Sequence, residues 1–307
     1  MAVKTIRLSL AAVLLFFLFS CRQGEPNIRI AIVTKAMDSE FWQSLKAGAT
    51  EAAENYPDVK LSVLAPAREI NIDQQVNILE DQILKGVSAI AVAPSGVAEI
   101  IPVLDKAHSR NIPVITVDTD INWPHKLSYV GTDNRLGGKL AGEYIVKALN
   151  GRGRVALIHG IPGVQTHEDR KAGFLEAINA APGIELVAQQ PANSERELAL
   201  TVMENILTSH PDLDAVFITS DQMALGALEA IAARNLAEQV ITVGFDAGKE
   251  AIEAVRKGRL SAIVAQDPFN MGRQAFLAAV KAANGETIDK RIDTGTELID
   301  RKNVAMR

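Results

Sequence analysis

Nine short apolar runs, each about five residues long and rich in Val and Ile, recur along this chain with helical stretches between them. They are Ile28–Thr34, Leu61–Ala65, Ala89–Ala93 and Val114–Val117, then, after a break around Asn122-Trp123-Pro124, Val155–His159, Ile184–Ala188, Ala215–Thr219, Ile241–Phe245 and Ser261–Ala265. They show little polar alternation, which is the pattern of strands covered on both faces, as in parallel sheets. The intervening stretches carry helical period: Phe41, Leu45, Ala49 and Ala52 share one face, as do Leu198, Val202, Ile206 and Leu207. Asp73, Asp133 and Ser194 are placed to cap helix starts. The whole reads as βα units in two halves, each long enough for one doubly wound α/β domain.

Parallel strands point their carboxyl ends one way, and ligands bind outside those ends. The residues that close the strands are therefore the first candidates for function. The first run ends Thr34-Lys35, with Phe41-Trp42 opening the helix that follows; the third ends Pro94-Ser95 and the fourth Asp118-Thr119-Asp120. The fifth ends His159-Gly160, with Arg170 ten residues on, and the later ones end Gln189-Gln190-Pro191, Ser220-Asp221, Asp246 and Gln266-Asp267.

These side chains suit recognition of a hydroxyl-rich small molecule. A carboxylate accepts hydrogens from two neighbouring hydroxyls, a guanidinium donates a planar fork, and an aromatic face packs on the C–H side of a sugar ring. Other roles are open to each. Asp221 is as readily a helix cap as a contact, and Asp118 and Asp246 have the same alternative. Of Phe41 and Trp42, one is expected in the core and one toward a cleft. Spacing alone puts Arg170 on a helix surface. Lys35, directly behind an apolar strand, must reach solvent or an anion.

The N-terminus carries Lys4 and Arg7, then an apolar stretch over 8–19, then Ser20 and the single cysteine, Cys21. A cationic start and a dozen apolar residues describe a secretory signal and not a membrane span. Leu18-Phe19-Ser20-Cys21 resembles a bacterial lipobox, although Phe19 stands where a small residue is usual. The resemblance implies a lipidated Cys21, a signal over 1–20, a tether over 21–27, and a location in the periplasm or at the cell surface, anchored by lipid to a bacterial membrane. Ordinary cleavage after Ser20 is the alternative; Leu18 disfavours it. With one cysteine there is no internal disulfide. Without Lys4 and Arg7 the chain has 30 basic residues against 37 acidic, a formal charge of −7. That balance, without basic runs, excludes a nucleic-acid binder.

Several motifs in order resemble a known family: Phe41-Trp42, Ile112-Pro-Val-Ile-Thr-Val-Asp118, Gly131-Thr-Asp-Asn134 with Gly137-Gly138, and Arg170-Lys-Ala-Gly-Phe174. Further along come His210-Pro-Asp-Leu-Asp-Ala-Val-Phe217, Asp221-Gln-Met-Ala-Leu-Gly-Ala227, Val243-Gly-Phe-Asp246 and Ala265-Gln-Asp-Pro268. From Ile28 onward the chain resembles periplasmic sugar-binding proteins of the ribose/galactose type, the capturing subunits of ATP-driven importers. The resemblance implies two similar lobes joined by three crossings near Thr132, Gln266 and Thr294, with lobes over 28–132 plus 267–294 and 133–266 plus 295–307. It implies ligand contacts from Lys35, Phe41, Trp42, Asp118, Arg170, Asp246 and Gln266, with Thr119 and Ser220 also at contact positions. There the ribose-type pattern has an arginine and an asparagine; it has an aromatic where Ser194 stands and a serine where Lys35 stands. These departures point away from ribose and leave sugar, sugar alcohol or cyclitol open. The implied partners are an ABC permease and its ATPase, and the implied state is a monomer without cofactor, metal or catalytic residue.

Other classes fit less well. A secreted glycosidase needs a carboxylate pair about 5–10 Å apart, which only Asp118 and Asp246 could supply on lobe closure. A metal enzyme needs a cluster, and His159, His167 and Asp118-Thr-Asp120 read as loop polar residues. Gly151-Arg-Gly153 precedes a strand, so it is not a nucleotide-binding turn. Lac-repressor-type transcription factors share the core fold but carry a helix-turn-helix where this chain has a signal. A sensor kinase or chemoreceptor in place of the permease is the rival that keeps the fold.

Overall fold

The structure, a computed structural model, describes residues 28–306. The signal, Cys21 and the tether lie outside the described residues. One sheet holds β1 (Ile28–Val33), β2 (Val59–Leu64), β3 (Ala89–Val92), β4 (Val114–Val117), β5 (Tyr129–Gly131) and β11 (Arg291–Asp293). Their order is β11-β5-β4-β3-β1-β2, and every pairing is parallel. The other holds β6 (Arg152–His159), β7 (Gly183–Pro191), β8 (Ala215–Ile218), β9 (Ile241–Asp246), β10 (Ala262–Ala265) and β12 (Glu297–Asp300), ordered β12-β10-β9-β8-β6-β7. All its pairings are parallel except that of the edge strand β12, which runs antiparallel to β10. The two orders match strand for strand, so β4 and β9 hold equivalent places.

Helices cover both faces of each sheet. α1 (Glu40–Glu54), α2 (Ile72–Leu84), α3 (Val97–Ser109) and α9 (Pro268–Ala283) flank the first; α4 (Asn134–Ala148), α5 (Gln165–Asn179), α6 (Arg196–Ser209), α7 (Asp221–Ala233) and α8 (Lys249–Arg256) flank the second. The double cover explains the missing polar alternation. Ile30 and Ile32 bury into one core cluster with α1 and α9, while Ala31 and Val33 bury into another with α2 and α3. Val155 and Leu157 likewise face α4 and α5, and Ala156 and Ile158 face α6 and α7.

Two helix crossings depend on glycine. A Cβ on Gly138 in α4 would lie 1.9 Å from the Arg170 carbonyl of α5, and one on Gly173 in α5 would lie 1.9 Å from the Arg135 carbonyl of α4. In the other sheet's helices, a Cβ on Gly48 in α1 would meet the Phe269 carbonyl at 1.9 Å, and one on Gly272 in α9 the Leu45 carbonyl at 1.8 Å. These close approaches seat α1 and α5, the helices that bring Phe41, Trp42 and Arg170 to the carboxyl ends of the strands.

The chain passes between the sheets three times: between β5 and α4, between β10 and α9, and between β11 and β12. The passages are tied together. Thr132 donates its hydroxyl to the Gly295 carbonyl at 3.1 Å, and Thr296 donates to the Ala265 carbonyl at 3.2 Å. Tyr129 donates to the carbonyls of Asp118 and Thr132 at 2.9 and 3.0 Å.

The nine apolar runs all become strands, with ends moved by up to three residues. β5, β11 and β12 escape the sequence reading because three or four residues carry no period. Asp133 caps α4, accepting from the Leu136 amide. Asp73 instead lies inside the first turn of α2, where Asn71 is the N-cap, and Ser194 precedes Glu195, the N-cap of α6. The buried face of α6 is Ala199, Met203, Ile206 and Leu207, and Leu198 and Val202 flank it half-buried; α6 lies close on α7 at Gly226, where a Cβ would lie 2.0 Å from the Arg196 carbonyl.

Candidate functional site

The carboxyl ends of the two sheets border a cavity of about 440 Å³. One wall holds Lys35 after β1, Phe41 and Trp42 at the start of α1, Glu69 after β2 and Asp118 after β4; the other holds Thr166, His167 and Arg170 on α5, Ser194 after β7, Ser220 and Asp221 at the start of α7, and Asp246 at the end of β9. The volume suits a small ligand.

Asp118 and Asp246 anchor the site from equivalent strands. Both have left-handed backbone, with φ of 60° and 88°, a conformation that Asp tolerates better than most side chains. Each carboxylate holds one buried cation and one neutral donor. The Lys35 ammonium lies 3.2 Å from Asp118, and Thr119 donates its hydroxyl to the same carboxylate at 2.7 Å. The Arg170 guanidinium lies 3.2 Å from Asp246, and the Gln266 amide donates to that carboxylate.

Arg170 is fixed on every side. Its Nε donates to the Asn134 side-chain oxygen at 2.8 Å, one terminal nitrogen donates to the Thr219 carbonyl at 2.7 Å, and the group stacks 3.8 Å over the Phe245 ring. Lys35 donates across to Thr166 at 3.5 Å and lies 5.7 Å from the Trp42 ring. Trp42 donates its indole N–H to Glu69 at 3.0 Å and meets Phe41 edge-on.

Burial sets the protonation. Asp221 is buried and faces Asp246, and its carboxyl is pushed up to about 7; it accepts from the Gly248 amide at 3.1 Å. Burial also raises Asp246, against the pull of Arg170, and raises Glu69, against the pull of Lys35. His167 is held neutral, well below its ordinary pKa, by burial and by Arg170 and Lys35. Its ring nitrogens lie 2.9 Å from the Thr219 hydroxyl and 3.1 Å from the Ser194 hydroxyl.

Lys35, Phe41, Trp42, Asp118, Arg170, Ser220 and Asp246 all border the cavity, while Thr119 and Gln266 stand behind the two carboxylates as their donors. Phe41 and Trp42 are both buried, so the expected division into a core ring and a cleft ring does not hold; their edge-on packing covers both. Arg170 is 3% exposed, where spacing alone put it on the surface; its buried partners account for this. Ser220, not Asp221, is the N-cap of α7, with its hydroxyl accepting from the Met223 amide.

Ser95 is buried and donates its amide to Gln75, and His159 is buried with Nδ1 3.1 Å from the Gly160 carbonyl; neither borders the cavity. Asp120 pairs with Lys126, accepts from the Thr116 hydroxyl at 3.0 Å and does not border the cavity. Among the described residues no group of three or more His, Cys, Asp or Glu could hold a metal ion, and no helix is long and apolar enough to cross a membrane. The sequence reading missed Glu69. Its signal was weak, because Ala65, Pro66 and Ala67 stand between the end of β2 and Arg68-Glu69.

The periplasmic binding protein domain family matches residues 30–287. The ribose import binding protein RbsB of Escherichia coli (strain K12) is 33% identical over 270 residues, which cover 88% of this chain and 90% of that protein. An ABC transporter periplasmic solute binding protein from Actinobacillus succinogenes 130z, solved with bound D-allose, superposes with a TM-score of 0.85 at 33% identity, covering 92% of this chain and 100% of that one. The fructose binding periplasmic domain of a hybrid two component system superposes with a TM-score of 0.87 at 27% identity, covering 91% and 93% of the two chains. The chain belongs to the periplasmic binding protein family, and its fold is the type I form of two α/β lobes.

Proposed function

We propose that this chain captures a monosaccharide-like ligand between its two lobes and delivers it to the permease of an ABC importer. The observation that carries the reading is the pair of carboxylates, Asp118 and Asp246, each held with its cation at matching strand ends on opposite walls of one cavity. Buried ion pairs stabilise a fold poorly. Their use here is to present fixed donors and acceptors to a ligand's hydroxyls, with Arg170, Lys35, Asp118 and Asp246 as direct contacts, Phe41 and Trp42 as the apolar face, and Ser220, Thr119 and Gln266 as further polar groups. The E. coli relative is a ribose import protein and the Actinobacillus neighbour holds D-allose, which supports a sugar as the class.

The lobes are assigned as 28–132 with 267–294 and 133–266 with 295–307, moving about the three passages between the sheets. Cys21 is the lipid attachment point and the mature protein is a monomer in the periplasm or at the cell surface, anchored to the membrane. The site provides affinity without turnover, since both strand-end carboxylates are already paired with buried cations. A thermal-shift panel of pentoses, hexoses, sugar alcohols and cyclitols tests the ligand class: a ligand at a hundred times its dissociation constant should add about 2.7 kcal/mol. Silence across the panel would overturn it. Labelling with a palmitate analogue, lost in Cys21→Ser, tests the anchor.

The likeness to a fructose binding domain of a two component system favours one second reading, a ligand sensor for a membrane kinase or chemoreceptor. An ATPase and permease encoded beside the gene would support import, and a kinase would support sensing.

A further inference from the structure

Beyond the cavity, one carboxylate binds the two lobes together. Glu40 is the first residue of α1, on the first sheet's side. Its Oε2 accepts from the backbone amide of Lys249 at 2.6 Å, and its Oε1 lies 3.1 Å from the Lys249 ammonium. Lys249 is the first residue of α8, on the second sheet's side. The N-terminal amides of a helix have no partner within the helix, and a carboxylate there meets both free donors and the positive end of the helix dipole. Gly248, the N-cap of α8, has no side chain to supply that oxygen. A Cβ there would lie 2.5 Å from Asp221 Oδ2 and 3.1 Å from Glu40 Oε2. The start of α8 is thus capped by two carboxylates: Asp221 of its own lobe takes the Gly248 amide, and Glu40 of the other lobe takes the Lys249 amide.

We infer that Glu40 is a closure latch, a helix cap supplied in trans that forms only when the lobes are shut. The latch reaches the cavity through its neighbours. Glu40 directly precedes Phe41 and Trp42, and Asp221, its companion at the α8 terminus, borders the cavity beside Asp246. A second contact crosses the rim of the cleft nearby as an ion pair of side chains: Arg68, directly before Glu69, pairs with Glu195, the N-cap of α6. Glu40 sets how long the closed state lasts without touching the ligand, whichever sugar is bound. The exposed Lys249 ammonium, 93% accessible, adds little, because solvent screens it; the amide bond carries the effect.

Hydrogen exchange at the Lys249 amide reads the latch directly. It is measured on the full chain in detergent, first without added sugar and then with D-ribose, D-allose and myo-inositol. Glu40→Ala should speed exchange at Lys249 by at least about tenfold relative to the unaltered chain, a typical loss for a charge-assisted bond. Glu40→Gln, which keeps an acceptor, should recover part of the protection, and Lys249→Met should leave it nearly intact. The melting temperature without ligand should hold within about a degree in all three, since the bond lies between lobes and not within one. Equal exchange in Glu40→Ala and the unaltered chain under every condition would overturn the latch. A faster rate in Glu40→Ala that a sugar shown to bind by calorimetry leaves unchanged would mean a cap independent of closure and would also overturn the latch; a faster rate with none of the three sugars binding would keep the contact between the lobes and count against the sugar reading.

Discussion

Asp118 and Asp246 are counterparts across the cleft: each ends the equivalent strand of its sheet, each has a left-handed backbone, and each carboxylate lies 3.2 Å from a single buried cation. A polar molecule between them meets two acceptors and two donors whose positions are already fixed, so little ordering is left for binding to do.

Asp246→Asn keeps the shape of that arrangement and removes its charge. It should weaken sugar binding by at least about a hundredfold, the loss typical of removing one partner from a buried charged hydrogen bond. Arg170→Ala should do the same and also lower the melting temperature, because Asn134 and the Thr219 carbonyl lose their donor and Asp246 loses its cation. Calorimetric titration beside thermal unfolding separates the effects; normal affinity in both variants would mean that the cleft is wrongly assigned.

Trp42 is 3% exposed and belongs to the core as much as to the cavity. Trp42→Ala should therefore cost about 3–5 kcal/mol of stability in the ligand-free protein. Trp42→Phe should cost far less stability, while freeing Glu69 to change the ligand preference. Denaturant unfolding of both variants without ligand checks this.

Two buried groups give opposite pH trends in the ligand-free protein. Asp221 has a folded pKa of about 7, above its unfolded value, so the folded state keeps a proton that the unfolded state loses from about pH 4; stability falls as pH rises toward 7 and levels off above it. His167 has a lowered folded pKa, so its contribution is lost as pH falls below the unfolded value near 6.5. The two trends oppose each other below about pH 6.5. Asp221→Asn should remove the falling trend and so steepen the rise of melting temperature with pH between about 5 and 6.5, measured as melting temperature against pH.

Gly138→Ala should separate α4 from α5, since the new methyl would lie 1.9 Å from the Arg170 carbonyl. Overpacking of this kind costs about 1–3 kcal/mol or more. It should also weaken ligand binding, because the same backbone carries the Arg170 side chain. Unchanged affinity with lowered stability would show that α5 moves without taking Arg170 from the cavity.

The alternation of apolar runs and helical stretches made the doubly wound fold legible, because strands buried on both faces leave no other pattern. Lys35, Asp118 and Asp246 were legible as charges directly behind such strands. Arg170 was legible only through the family resemblance and not from spacing, since its burial depends on Asn134 and Thr219, 36 and 49 residues away. The short β5, β11 and β12 were hidden because their position comes from pairing and not from local pattern. Glu40 was hidden for the same kind of reason: its partner lies 209 residues further on, in the other lobe.

Native mass spectrometry of the purified protein, before and after unfolding and refolding, tests the central claim most directly. The expected result is a mass excess equal to one pentose, hexose or inositol, lost on refolding and restored unchanged by adding that compound. A protein that stays empty with every such compound, or that returns the added compound chemically altered, would contradict it.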